Sequence, residues 1–198
     1  MDEKYVGRKF TTEFIKEDFA RDNEFIRHMI TSARMLKAYD LTPETTGNIS
    51  IMTCEGMYIK AGGKSLGDLT PDDIILVVDY NPRENRVIAK GGKEPSSEAP
   101  MHWLIYHRFP RASAIVHVHD RVVLENIKSV KRNRIKITEK ETDYGTLKQA
   151  DEVLDALLYD DYAVIKNHGS ISIGNTIEEA TKRVIDVHKK ILEDESSH

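Results

Sequence analysis

The chain has 198 residues, 39% of them hydrophobic and 31% charged, with a formal net charge of −4. That length suits one domain, residues 1–198, with a full core, and the composition is too apolar for a disordered polypeptide. The charge gives no global attraction to nucleic acid or to an anionic membrane, no apolar run is long enough to span a bilayer, and a single cysteine, Cys54, excludes an intramolecular disulfide. Met1-Asp-Glu-Lys also lacks the pattern of a secretory signal, so a cytoplasmic protein is expected.

In chain order, apolar residues recur at helical spacing from about Thr12 to Tyr39 (Phe14, Phe25, Met29, Ala33, Leu36), which predicts a long amphipathic helix or a helix pair. Turn residues from Leu41 to Gly47 lead into a strand at Asn48 to Met52. A Glu55-Gly56 turn joins it to a second strand, Met57 to Lys60. Gly62-Gly63 and Gly67 break the chain, and Asp68 to Asp73 reads as a single helical turn. Ile74 to Asp79 is rich in β-branched residues and reads as a strand, followed after Asn81-Pro82 by another at Arg86 to Lys90. A helix is expected from Ser97 to Phe109, with Pro110 as its stop signal. An apolar strand, Ala114 to Val118, comes next, then a short helix. The segment from Ser129 to Glu141 carries no clear pattern, and its basic residues (Lys128, Lys131, Arg132, Arg134, Lys136) read as solvated charge with no interleaved aromatic for base stacking. A helix from Thr146 to Tyr159, strands at Tyr162 to Lys166 and Ser170 to Ile173, and a helix from Thr176 to Leu192 complete the chain. Early hairpins with interspersed helices, and no regular strand-helix-strand alternation, point to an α/β fold whose sheet is largely antiparallel and covered by helices.

His117-Val-His119 is the most informative motif. Side chains alternate along a strand, so two imidazoles one residue apart project from the same face and can grip one cation. A hydrogen-bonded core pair would look the same, so the rest of the chain must add ligands. His168, in Asn167-His168-Gly169 at the end of a second apolar run, supplies a third nitrogen or is a turn histidine. His28, His102, His107 and His188 compete less well because they lie in helix-like stretches, and His198 is terminal. Glu98 falls in the first turn of the expected helix, where the dipole favours a carboxylate in any case; beside a metal it could ligate and move a proton. Three histidines and a carboxylate suit a catalytic Zn²⁺ with an open coordination position. Ser96 and Ser97 could cap the helix or, with the Gly62-Gly63 loop, Lys60 and Lys64, hold a phosphate. Asp120 reads as the cap of the following helix.

Thr46-Gly-Asn-Ile-Ser, Pro95-Ser-Ser-Glu-Ala-Pro-Met-His, Ala114-Ile-Val-His-Val-His, Tyr144-Gly-Thr and Lys166-Asn-His-Gly, in this order, resemble the class II aldolase/adducin family. The resemblance implies a three-layer α/β/α fold around a mainly antiparallel sheet, and a cyclic homotetramer with active sites at subunit boundaries. It implies one Zn²⁺ per subunit on His117, His119 and His168, and Glu98 as both metal-proximal ligand and acid/base. It also implies substrate-phosphate contacts at Asn48, Gly63, Ser96 and Ser97. Enzymes of this family act on short sugar phosphates as aldolases, epimerases or dehydratases, and its adducin branch serves as interaction modules without the metal. The implied reaction is cleavage of a ketose 1-phosphate of fuculose, rhamnulose or ribulose type to dihydroxyacetone phosphate and an aldehyde. Two departures stand out. The family's Thr-Pro-Ser-Gly loop reads Lys60-Ala61-Gly62-Gly63 here, and no tyrosine lies between His119 and Tyr144, where fuculose-type aldolases keep a catalytic one. Tyr144 itself reads as a structural turn residue.

Overall fold

In the computed structural model, residues 8–196 are described; Met1-Asp-Glu-Lys and His198 lie outside them. The strands are β1 (Thr11–Phe14), β2 (Asn48–Thr53), β3 (Gly56–Lys60), β4 (Ile74–Asn81), β5 (Arg86–Lys90), β6 (Ala114–Val118), β7 (Lys136–Ile137), β8 (Tyr162–Ile165) and β9 (Gly169–Gly174). The helices are α1 (Glu24–Ala38), α2 (Ala99–Arg108), α3 (Arg121–Glu125), α4 (Ile127–Arg132), α5 (Leu147–Ala156) and α6 (Ile177–Ser196). All nine strands join one sheet in the order β1-β5-β4-β3-β2-β6-β9-β8-β7. Pairing is antiparallel through the centre and parallel only at the two edges, β1 with β5 and β7 with β8.

Two apolar clusters sandwich this sheet. Residues of α1, α3, α4 and α6 cover one face, and residues of α2 and α5 cover the other. The fold is therefore α/β with three layers, α/β/α, around a mainly antiparallel sheet. Period-two alternation sorts the strands between the layers. In β2, Ile49 and Ile51 enter the first cluster, which leaves Asn48 and Ser50 to meet α2. In β6, Val116 and Val118 enter the first cluster, and His117 shares the opposite face with Ile115.

One expected element is corrected. The helix anticipated from Thr12 begins at Glu24, where the Asn23 side chain accepts from the Ile26 N–H and Glu24 complements the dipole of the first turn. The residues before it form the edge strand β1, with Thr11 opposite Arg86 and Phe14 opposite Ala89. Its β-branched threonines suit a strand, and its partner is distant in sequence, so local periodicity carries no trace of it. The segment left without a pattern contains the end of α4 and the short strand β7. Asp120 does cap α3, accepting from the Val123 N–H, and it also pairs with His188 Nδ1 at 2.9 Å.

Candidate metal centre

β6 ends at one margin of the sheet, beside the turn that joins β8 to β9 and the turn that opens α2. His117 is the fourth residue of β6 and His119 lies just beyond it. His168 sits in the β8–β9 turn, where Asn167 takes a left-handed φ of 58°. Gly169 follows because nothing larger fits: a Cβ there would lie 2.3 Å from the Val118 carbonyl oxygen and 2.9 Å from His117 Cε1. This close approach brings the His168 ring onto the His117 ring, with centroids 5.0 Å apart and planes 10° from parallel. His119 meets both edge-on, with centroids at 5.0 and 4.6 Å.

The ring nitrogens converge. One ligand atom from each of His117, His119 and His168 lies within 4.8 Å of the other two. His117 Nδ1 donates to the Ser170 carbonyl at 2.9 Å, which fixes the proton there and leaves the Nε2 lone pair facing the centre. That Nε2 lies 3.1 Å from His119 Nε2 and 3.2 Å from Glu98 Oε2, and His168 Nε2 lies 3.0 Å from Glu98 Oε1. Burial pushes the His117 imidazole down to about 4, against the pull of Glu98. Three imidazoles sharing a focus with a carboxylate make a donor set that fits a divalent cation.

Glu98 is the N-cap residue of α2 and is 4% exposed. Burial alone would raise its carboxyl, but His117, His168 and His119, together with the His168 hydrogen bond, hold it well below the usual carboxylate range. Asn48 Nδ2 donates to Glu98 Oε2 at 2.7 Å. The two serines do not cap α2 as one reading had it: Glu98 is the cap residue, the helix starts at Ala99, and no side chain caps it. The reason is a tight turn, Ala99 N to Ser96 O at 3.0 Å, which precedes the first helical residue. Ser96 is buried with its Oγ 3.5 Å from the Glu98 N–H, and Ser97 is half-buried.

The Gly62-Gly63 loop reaches the same margin. Gly62 N donates to the Glu94 carbonyl, Ser96 N donates to the Lys60 carbonyl, and Gly63 faces open space with a left-handed φ of 69°. The lysines do not add free charge there. Strand alternation turns Lys60 inward, 2% exposed, where its Nζ donates to the carbonyls of Thr45 at 2.8 Å and Lys64 at 2.5 Å. Burial pushes the Lys60 ammonium down to about 8. Lys64 and Lys93 both pair with the buried Asp73, at 3.2 and 2.8 Å.

The structure thus gathers Asn48, Ser96, Glu98, His117, His119 and His168 around one focus, with Ser97 and Gly63 on neighbouring turns. It also places around the site residues that carried no role there in the sequence reading. Ser50 bonds His102 and Tyr106 directly behind Asn48 and Glu98. Tyr144 stacks on His168, with centroids 6.3 Å apart and planes 8° from parallel. The signal for His102 was its spacing, one helical turn after Glu98 on the same face. His28 lies elsewhere, paired with Glu178. Among the described residues no helix is long and apolar enough to cross a membrane.

Comparison with known proteins identifies the family and agrees with the fold. The family model of the class II aldolase and adducin N-terminal domain matches residues 27–191. An L-fuculose phosphate aldolase from Methanococcus maripaludis is 33% identical over 145 residues, which cover 68% of this chain and 76% of that protein. A methylthioribulose-1-phosphate dehydratase from Enterobacter sp. is 39% identical over 99 residues, 50% of this chain; the chain spans only 46% of that relative's length. A solved sugar-phosphate aldolase from Thermotoga maritima shares the fold, with a TM-score of 0.74 and 22% identity over 85% of this chain and 92% of that one.

Proposed function

The chain belongs to the class II aldolase and adducin N-terminal domain family, and from that premise we propose that it is a zinc-dependent aldehyde-lyase cleaving a short ketose 1-phosphate. The observation that carries this reading is the convergence of three imidazole nitrogens within 4.8 Å beside the buried Glu98 carboxylate. His117, His119 and His168 would hold the ion, and Glu98 would complete the resting site. When bound, a divalent cation supplies Lewis-acid stabilisation of negative charge on the substrate's oxygens, worth several kcal/mol.

The protein's own residues account for the remainder. In aldol cleavage of a ketose 1-phosphate the C3–C4 bond breaks, the C4 hydroxyl proton leaves, and the bonding pair moves into an enediolate that takes up a proton to give dihydroxyacetone phosphate. Glu98, ionised and buried, is the group for this transfer: it would accept the proton released from the C4 hydroxyl and return it to the enediolate carbon, so that no proton is gained or lost overall. Asn48 keeps one of its oxygens in place from β2. Ser96, Ser97 and the backbone at Gly63 are the assigned contacts for the phosphate, with the dipole of α2 favouring the anion. The same reading takes residues 1–198 as one domain of a cytoplasmic homotetramer whose sites lie at subunit boundaries.

A second reading is loss of water from a methylthioribulose-1-phosphate-like substrate at the same centre. It is favoured by the 39% identity with a dehydratase and by the lack of any tyrosine between His119 and Tyr144. The deciding experiment combines elemental analysis of protein purified without chelator with product assays on fuculose, rhamnulose, ribulose and methylthioribulose 1-phosphates. About one zinc per chain, with dihydroxyacetone phosphate released by wild type and not by Glu98→Ala, supports the lyase. Metal with water loss and no aldehyde transfers the assignment to the dehydratase. No metal under any condition removes the enzyme reading and leaves an adducin-like interaction module.

A further inference from the structure

Behind the metal centre a buried polar ladder runs on from Asn48 and Glu98 to Ser50, His102 and Tyr106, which the proposed chemistry does not use. Helix α2 presents Glu98, His102 and Tyr106 at successive turns toward β2, which presents Asn48 and Ser50 two residues apart. Exposure is 4%, 0% and 7% on the helix and 3% and 0% on the strand. The first rung is Asn48 to Glu98. The second is Ser50, whose Oγ lies 2.7 Å from His102 Nδ1 and 2.8 Å from Tyr106 Oη.

Proton counting fixes the direction of the second rung. In one arrangement Tyr106 donates to Ser50 and Ser50 donates to His102 Nδ1. The His102 proton then sits on Nε2, which is buried and hydrogen-bonded to no described residue. In the reverse arrangement His102 Nδ1 donates to Ser50 and Ser50 donates to Tyr106. That leaves the phenolic proton without an acceptor and the Nε2 lone pair without a donor. The first arrangement strands one polar group and the second strands two, and each stranded buried group is costly. The first is therefore the one adopted.

We infer that His102 is a positioning residue: locked as the Nε2–H tautomer by Ser50 and Tyr106, it pins the first turns of α2 to β2 and so holds the Glu98 carboxylate against His117 and His168. The backbone tie is direct, because the His102 N–H donates to the Glu98 carbonyl at 3.2 Å. Glu98 also lies near enough for its charge to act on the His102 ring. A purely apolar spacer at this position would strand no N–H, so the imidazole serves the rung to Ser50. The inference rests on the metal reading above for the role of Glu98, whereas the tautomer stands independently of it.

Two measurements test it, neither needing substrate. In metal-free protein labelled with ¹⁵N-histidine, the His102 ring is expected to carry its proton on Nε2; a proton on Nδ1 overturns the inference. Zn²⁺ affinity is then compared by chelator competition among wild type, His102→Phe, His102→Asn and Ser50→Ala. His102→Phe, which keeps bulk and loses the rung, should bind zinc about 10-fold or more weakly, as removal of an outer partner of a metal site does. His102→Asn, whose amide oxygen can still accept from Ser50, should recover most of that loss. If His102→Phe does not fold, Ser50→Ala breaks the same rung with little change of volume and should weaken zinc comparably. Folded variants that all bind zinc within twofold of wild type overturn the positioning role. A wrong assignment of the reaction would leave both measurements unchanged and show only in the product assays.

Discussion

Substituting Gly169 by alanine tests whether the metal centre depends on the close approach of β9 to β6. The added Cβ would sit 2.3 Å from the Val118 carbonyl oxygen and 2.9 Å from His117 Cε1. Carbon atoms in good contact stay about 3.5–4.0 Å apart, so the strands or the ring must move by roughly an ångström. The first obstacle is backbone, held between two antiparallel partners, β2 and β9, and cannot swing aside as a side-chain tip could. Overpacking of this kind costs about 1–3 kcal/mol, and the rigid obstacle puts Gly169→Ala at the upper end. For a chain of this size that lowers Tm by about 5–10 °C. The His117 and His168 rings stack across the same gap, so zinc affinity should fall with stability. Thermal unfolding of metal-free protein and chelator competition read the two effects separately. A Gly169→Ala protein with unchanged Tm and unchanged zinc affinity would refute the claim that this contact sets the geometry.

Three further outcomes are expected. His117→Ala should retain the fold yet hold no zinc, and a chelator that lowers the Tm of wild type should leave that of the variant unmoved, as differential scanning calorimetry would show. Burial pushes the His102 imidazole from its ordinary 6.5 down to about 4, so between those values the unfolded chain binds the extra proton and stability rises with pH. Urea titrations of metal-free wild type should lose about 3 kcal/mol from this group as pH falls through that window, and His102→Phe should show a correspondingly shallower slope. Thr146 caps α5 by accepting from the Gln149 N–H at 3.1 Å, and Thr146→Ala should cost about 1 kcal/mol in the same titration with zinc binding unaffected.

What could be read from the sequence was whatever leaves a local pattern. His117 and His119 were visible as a pair because strand alternation places residues two apart on one face. His168 and Glu98 were visible because each stands at the end of a recognisable element. The largely antiparallel sheet covered by helices followed from hairpins mixed with helices, and the three layers from the family resemblance. Three features were not legible, for separate physical reasons. β1 is four residues long, mostly polar on its exposed side, and is defined by a partner more than seventy positions away, as the Glu13 to Arg86 ion pair shows. Lys60 was read as a charge that could help hold a phosphate, because lysine is usually exposed; only the alternation of β3 against its neighbours turns it under the loops. The Ser50 to His102 rung depends on how α2 lies across β2, and that register is a tertiary property. The resemblance in motif order conveyed the fold and exposed the altered Lys60-Ala61-Gly62-Gly63 loop, but not that its lysine serves the protein's own carbonyls.

The edge strand β1 has a consequence for solubility and folding order. It covers the outer side of β5 with parallel pairing and sets Glu13 beside Arg86. Without it, β5 would offer an unpaired row of amide and carbonyl groups, the template on which a second chain adds and fibrils grow. Closing so long a loop comes at high entropic cost, so β1 is expected to dock after the hairpin of β4 and β5 has formed. During that interval a nascent molecule presents a sticky border, and a protease that trims residues 8–15 from the mature one would restore it. The short cover strand thus acts as a gatekeeper against aggregation, at the end of the sheet opposite the one that carries β7.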